Sequence, residues 1–308
     1  MASDLHCFLL GTGGMMPMPE RMLTSLAVRL GGRTYLFDAG EGTQVSWKRL
    51  RLGLRGFEVL ALSHLHADHC LGVPGMMMLR AQMDFPGPLT VLGPPGTRSF
   101  LRDLQSNLDY HLNYPVLVRE WETEAGETAY EDPWVRILWR PLEHTRFCLG
   151  YRIEEPQRPG RFDPLAARAL GVPEGPLWGM LQRGRPVLNE AGESVYPEQV
   201  LGPPRRGRSV AYVTDTLPGP NALTLCRDAD LAFVEGMFLA EDADHARAKE
   251  HMTVDQGAQL GLEAGARLTV LIHLSPRYNG RDRDRLESAV RPHGNRVRVG
   301  RDLESYPV

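Results

Sequence analysis

Within six residues, His64-Leu65-His66-Ala67-Asp68-His69 sets out three imidazoles and one carboxylate. Neutral imidazole and carboxylate are the donors that zinc and its neighbours take when no thiolate is offered. A tight turn can aim His64 and His66 at one metal and Asp68 and His69 at another. The bland alternative is a solvated His-rich loop, so the rest of the chain has to decide.

The cluster directly follows the apolar run Val59-Leu60-Ala61-Leu62, which reads as a strand. Other short apolar runs end in the same way. Val135 to Trp139 precedes His144, Val210 to Val213 precedes Asp215, and Leu268 to Ile272 precedes His273. Cys7 to Leu10 reads as a strand leading into Gly11-Thr12-Gly13-Gly14. Leu26 to Leu30 and Thr34 to Phe37 read as a hairpin across Gly31-Gly32, ending at Asp38. Helical patterns lie between these runs at Val73 to Met83, Thr97 to Tyr110 and Val254 to Ala264. Ligands collect at strand ends in layered α/β folds, so four such placements point to one site.

Collected, the strand-end residues are His64, His66, Asp68, His69, His144, Asp215 and His273. Seven donors are too many for one tetrahedral ion and suit two. One partition gives the first metal His64, His66 and His144, and the second Asp68, His69 and His273, with Asp215 bridging. Paired metals roughly 3.5–4 Å apart can activate water near neutral pH and clamp both oxygens of an in-line phosphoryl displacement. His/Asp sites accept zinc and manganese alike.

Composition narrows the class. The 308 residues carry a formal charge of -3, so the whole molecule is no magnet for polyanions. Cys7, Cys70, Cys148 and Cys226 are scattered, which argues for free thiols in a reducing compartment. No signal-peptide start and no apolar run long enough to span a membrane is present, so a cytoplasmic location is expected. The stretch from about Glu154 to Arg208 is rich in Pro, Gly and Arg. It carries nine Arg between Arg152 and Arg208 against seven acids, and one helix-like piece from Pro164 to Leu170. It reads as an inserted arm on a single domain spanning residues 1–308.

The order His-x-His-x-Asp-His, then His144, Asp215 and His273, resembles the metallo-β-lactamase superfamily. Within it, the chain resembles the ribonuclease Z family over nearly its full length. Phe8 to Gly14, Leu36-Phe37-Asp38-Ala39-Gly40-Glu41-Gly42-Thr43-Gln44, and Gly72-Val73-Pro74-Gly75 after the metal loop are similar to that family's motifs. So are Ala246 to Thr253, with His251, and His273-Leu274-Ser275-Pro276-Arg277-Tyr278. The fold this implies is a four-layer αββα sandwich with a protruding arm. The implied activity is a two-zinc endoribonuclease that removes the 3′ trailer of precursor transfer RNA, leaving a 3′-hydroxyl and a 5′-phosphomonoester. Asp68 is then ligand and general base, His251 the acid toward the leaving 3′ oxygen, and Glu235 its charge partner. Arg21, Arg277, Tyr278 and, on the arm, Gly175 and Pro176 are the implied substrate contacts, in a homodimer with no membrane association. Trp178 could stack on a base or pack within the arm. Asp38 and Glu41 read as tight-turn carboxylates.

The chain departs from the family pattern at Met15, Met22 and Val234, none of them a metal donor. These departures bear on where the RNA 3′ end sits. A small-molecule phosphodiesterase or related ester hydrolase on the same scaffold is the competing activity, and a non-catalytic binding protein a third.

Overall fold

The apolar runs are strands, and most are buried on both faces because alternate side chains enter different apolar layers. In β1 (His6–Gly11), Cys7 and Leu9 join one layer while Phe8 and Leu10 join another. In β12 (Ser209–Val213), Val210 and Tyr212 enter that first layer and Ala211 and Val213 a third. A computed structural model describes residues 4–122, 128–279 and 282–308. The chain divides into two compact units, Met1–Glu154 with Arg208–Val308, and Glu155–Gly207.

The first unit holds two seven-stranded sheets. One runs β16-β1-β2-β3-β4-β5-β6, with β2 (Ser25–Leu30), β3 (Arg33–Phe37), β4 (Phe57–Ala61), β5 (Leu89–Gly93), β6 (Val116–Glu120) and β16 (Ser305–Pro307). The other runs β15-β14-β13-β12-β9-β8-β7, with β7 (Thr128–Glu131), β8 (Arg136–Leu142), β9 (Cys148–Glu154), β13 (Leu231–Glu235), β14 (Thr269–Ile272) and β15 (Val297–Val299). The layer shared by the sheets includes Phe37, Val59, Trp139, Tyr151, Tyr212 and Phe233. Helices α1 (Thr43–Arg49), α3 (Val73–Ala81) and α4 (Thr97–Leu108) cover the first sheet's outer face, whereas α7 (Pro220–Cys226), α9 (Val254–Glu263) and α10 (Arg283–Val290) cover the second's. This is the αββα order expected. Two short helices, α2 (Ala67–Cys70) and α8 (Ala243–Ala248), carry or precede site residues.

β3 to β6 are parallel, as are β12 to β15. Their carboxyl ends therefore face the same way within each sheet, which is where the polar punctuation falls. The expected hairpin is present, paired from Leu26↔Phe37 to Leu30↔Arg33. β8 extends past the expected Trp139 to Leu142, which brings the strand to within two residues of His144. Helix α4 stops at Leu108 rather than Tyr110 because Asp109 turns left-handed there.

The unit Glu155–Gly207 has its own apolar cluster of Ala167, Val172, Leu181, Val187, Val195 and Val200. Helix α5 (Pro164–Ala169) is capped by the Asp163 carboxylate, which accepts from Leu165 N and Ala166 N. A second helix, α6 (Pro176–Gln182), and a hairpin of β10 (Val187–Leu188) with β11 (Ser194–Val195) were not visible as periodic patterns. The Trp178 indole donates to Val172 O and its ring lies 5.2 Å from that of Phe162, so it packs within the unit. All four cysteines are buried free thiols. No helix among the described residues is long and apolar enough to cross a membrane.

Candidate metal centre

Five chain segments bring their polar residues to one cleft. The turn after β4 carries His64 and His66, α2 carries Asp68 and His69, and the β8–β9 turn carries His144. Asp215 and His273 follow β12 and β14. Donor atoms of His64, His66, His144 and Asp215 lie within 4.8 Å of one another, and so do those of Asp68, His69 and His273. Asp215 faces both sets. Its Oδ2 lies 3.6 Å from His64 Nε2 and 3.8 Å from His144 Nε2, while Oδ1 lies 3.2 Å from His69 Nε2 and 3.3 Å from His273 Nε2.

The outer nitrogens explain how the rings are aimed. His69 Nδ1 donates to Asp38 Oδ2 at 2.8 Å, and His144 Nδ1 donates to Glu250 O at 3.2 Å. The Ser63 hydroxyl donates its one hydrogen to Asp38 Oδ2, so its oxygen is free to accept from His64 Nδ1 at 3.0 Å. Each of these rings then turns its Nε2 into the cleft, where it is a metal donor whenever the ring is neutral.

Those nitrogens crowd one another, with too few hydrogens to join every close pair. His66 Nδ1 lies 2.9 Å from His64 Nε2 and 3.3 Å from His144 Nε2, yet one hydrogen can serve only one of them. His69 Nε2 and His273 Nε2 are 3.2 Å apart, and His273 Nδ1 is buried without a partner among the described residues. Crowded nitrogens around a buried carboxylate fit divalent cations, and oxygen and imidazole donors of this kind suit zinc or manganese.

Protonation follows the same division. Burial, with the charge of His69, pushes His64 well below the ordinary histidine range. Burial also lowers His66 and His144. His69 goes the other way. Burial opposes its charge, but Asp215 and Asp38 outweigh that and raise it strongly. For Asp215, burial is outweighed by His273, His69 and His64, which hold the carboxyl ionised far below its usual range. Asp68, likewise lowered despite burial, is held by His273 and His69 and also accepts from Met15 N at 2.6 Å.

Beside this centre, His251 Nδ1 lies 3.0 Å from Glu235 Oε2, and Glu235 Oε1 accepts from Thr216 N. Burial lowers His251, but Glu235 and Asp215 more than reverse it, to about 9. Its ring stacks at 5.3 Å on His273 and lies 5.0 Å from His144. Asp215, His251 and His273 form a third set of donors within 4.8 Å, so a proton on His251 sits at the edge of the metal cleft.

The expected substrate contacts divide. Arg277 is half exposed on its side chain and paired with Asp242 at 3.1 Å. Arg21, by contrast, is only 2% exposed, and its guanidinium donates to Ser275 O and Tyr278 O. Tyr278 is also buried, donating to Asp242 and accepting from Leu239 N. Arg21 and Tyr278 thus brace the loop after His273 rather than face solvent. Gly175, with φ 144, and Pro176 open α6 on the exposed side of the second unit. Asp38 does more than the turn role expected of it. Fully buried, it accepts from Ser63 N, Ser63 Oγ, His69 Nδ1 and Tyr212 OH. Tyr212 is distant in sequence, so no local pattern announced this network.

Residues 19–77 match the family model of the metallo-β-lactamase superfamily. A ribonuclease Z of Treponema denticola is 43% identical over 275 residues, covering 89% of each chain. One from Salinibacter ruber is 43% identical over 272 residues, 87% of this chain and 84% of its own. Among solved structures, human tRNase Z, short form, superposes with a TM-score of 0.71 at 21% identity over 98% of both chains. A diphosphatase of the PhnP family shares the fold at a TM-score of 0.64 and 16% identity, covering 100% of this chain and 98% of its own.

Proposed function

This chain belongs to the ribonuclease Z family, and from that membership we propose that the cleft removes the 3′ trailer of precursor transfer RNA. The observation that carries the reading is Asp215, whose two oxygens face two complete donor sets. His64, His66 and His144 would hold one zinc or manganese ion, and Asp68, His69 and His273 a second, with Asp215 facing both. Such a pair supplies positive charge to the phosphodiester undergoing displacement and makes water acidic enough to react near neutral pH.

The chain's own residues then divide the proton work. Asp68 is 13% exposed on its side chain and ionised, so it accepts the proton of the attacking water. As the new oxygen–phosphorus bond forms, the bond to the 3′ oxygen breaks. His251, kept charged by Glu235, gives that oxygen its proton. The transfer RNA leaves with a 3′-hydroxyl and the trailer with a 5′-phosphate. Arg277 meets the RNA near the cleft, where its exposed guanidinium can reach a phosphate. The reading extends to a cytoplasmic homodimer in which Gly175 and Pro176 of the inserted unit grip the RNA.

The test uses two substrates, a precursor transfer RNA with a 3′ trailer and a chromogenic phosphodiester, with and without deletion of residues 160–195. Loss of RNA cleavage with retained phosphodiester hydrolysis is expected. A deletion that leaves RNA cleavage intact sinks the role of the inserted unit, and a wild-type protein active only on the small ester sinks the RNA reading.

A further inference from the structure

We propose that Asp302, on the segment between β15 and β16, is a positioning residue for Asp68 and His273. The proposal rests on the reading that Asp68, His69 and His273 hold one of two ions.

Asp302 Oδ1 accepts from Thr12 Oγ1 at 2.7 Å and Oδ2 accepts from Met22 N at 2.5 Å. Thr12 and Met22 are the two legs of a single loop, since Thr12 N and Gly13 N both donate to Met22 O. The carboxylate therefore closes the base of the loop like a clasp. Its own segment is anchored independently, through Leu303 N to Leu9 O and Gly300 N to Leu271 O.

Between those legs the loop touches the metal centre twice. Met15 N donates to Asp68 Oδ2, with Met15 itself in the left-handed region at φ 66. Gly14 lies against the His273 ring so closely that a Cβ there would stand 2.6 Å from Nε2. Gly14 N donates to Leu274 O and Leu274 N to Thr12 O, so the loop and the residue after His273 move together. His64 and His144 take their orientation elsewhere, from Ser63 and from the Glu250 carbonyl. Among the described residues the loop of residues 12–22 makes no hydrogen bond to His64, His66 or His144. Slack at Asp302 should therefore reach one donor set and spare the other. Burial, despite the bonds from Thr12 and Met22, keeps the Asp302 carboxyl above its ordinary range, as befits a group enclosed by the fold.

The experiment titrates full-length protein with Zn²⁺ alone against a chromophoric chelator, for wild type, Asp302→Asn and Thr12→Val. The melting temperature of each metal-free form is recorded alongside. Asp302→Asn should bind one ion about tenfold or more weakly and the other as wild type does, in the range typical of groups that orient ligands. Thr12→Val removes one of the two bonds and should shift the same ion by less. Equal weakening at both ions, or no weakening at either, overturns the proposal whatever the melting temperature does. Wild-type protein that binds fewer than two ions overturns instead the two-ion reading beneath it.

Discussion

Replacing Glu235 by Gln isolates the acid–base part of the cleft, because it removes one buried charge and keeps the shape. Glu235 is fully buried, with Oε1 held by Thr216 N and Oε2 toward His251 Nδ1. In the variant the amide oxygen can still accept from Thr216 N, leaving the amide nitrogen to donate to His251 Nδ1. That contact favours the neutral ring. Burial already lowers His251, and Glu235 is the larger of the groups that raise it to about 9. Against an ordinary histidine value of about 6.5, that preference for the cation is on the order of 3 kcal/mol. Without Glu235 the value should fall to about 6. At about pH 8 the protonated fraction then drops from nearly all to about one in a hundred, whereas at about pH 6 it drops only about twofold.

The expected result is a cleavage rate roughly 10²-fold down at about pH 8 and largely regained at about pH 6. The alkaline limb moves to lower pH because the acid must be protonated to act. Divalent ions nearby lower His251 in both proteins, so the displacement between the two curves is the quantity to read. The same group links pH to stability. Its raised value contributes stability fully below about pH 6.5, which is lost as pH rises toward about 9, and the variant should lack that slope. Single-turnover rates on precursor transfer RNA across pH, with an imidazole NMR titration of metal-free protein, make the measurement. An equal loss at every pH, or a limb displaced upward, refutes the assignment.

Two further substitutions separate bracing from chemistry. Arg21→Met leaves the Ser275 and Tyr278 carbonyls without their buried donor. It should cost about 2–5 kcal/mol, visible as a lower melting temperature with KM for the RNA little changed. A raised KM at unchanged melting temperature would restore Arg21 as an RNA contact. Gly14→Ala puts a methyl 2.6 Å from His273 Nε2 and 2.7 Å from Cε1, so the ring must move. Because displacements near 1 Å can cost about 10²-fold, kcat should fall by that order while the metal-free protein melts nearly as before. Unchanged kcat would show that the ring tolerates the shift.

Much of the donor set was legible because His64, Asp215 and His273 follow strands that are buried on both faces. Such a strand stays apolar to its last residue, so the titratable side chain within three residues of its end stands out: His64 after β4, Asp215 after β12, His273 after β14. Asp38 follows β3 by the same rule, yet its partners Ser63, His69 and Tyr212 come from the turn after β4, from α2 and from the facing sheet. Proximity of that kind is made by packing and leaves no period in the chain. Arg21 and Tyr278 differ from the expected solvent-facing contacts for the opposite reason. Arginine and tyrosine suit RNA, but their charge and hydroxyl are spent on neighbouring backbone and Asp242. In the inserted unit, α6 is only seven residues and β10 only two, too short to show either period.

The centre concentrates conformational cost in one place. Asp38, Asp215, His273 and Glu250 all adopt the left-handed region, at φ 54, 48, 56 and 56. For residues with a Cβ this costs on the order of 1 kcal/mol each. Glu250 is strained for its carbonyl, which aims His144, and the other three for their side chains. To this is added the crowding of imidazole nitrogens at 2.9–3.3 Å. A flexible loop would relax away from both. These residues cannot, because the strands before Asp38, Asp215 and His273 are buried on both faces, between the layer shared by the sheets and the helix layers. The core therefore supplies the force that keeps seven donors converged, and a divalent ion finds them arranged rather than having to arrange them.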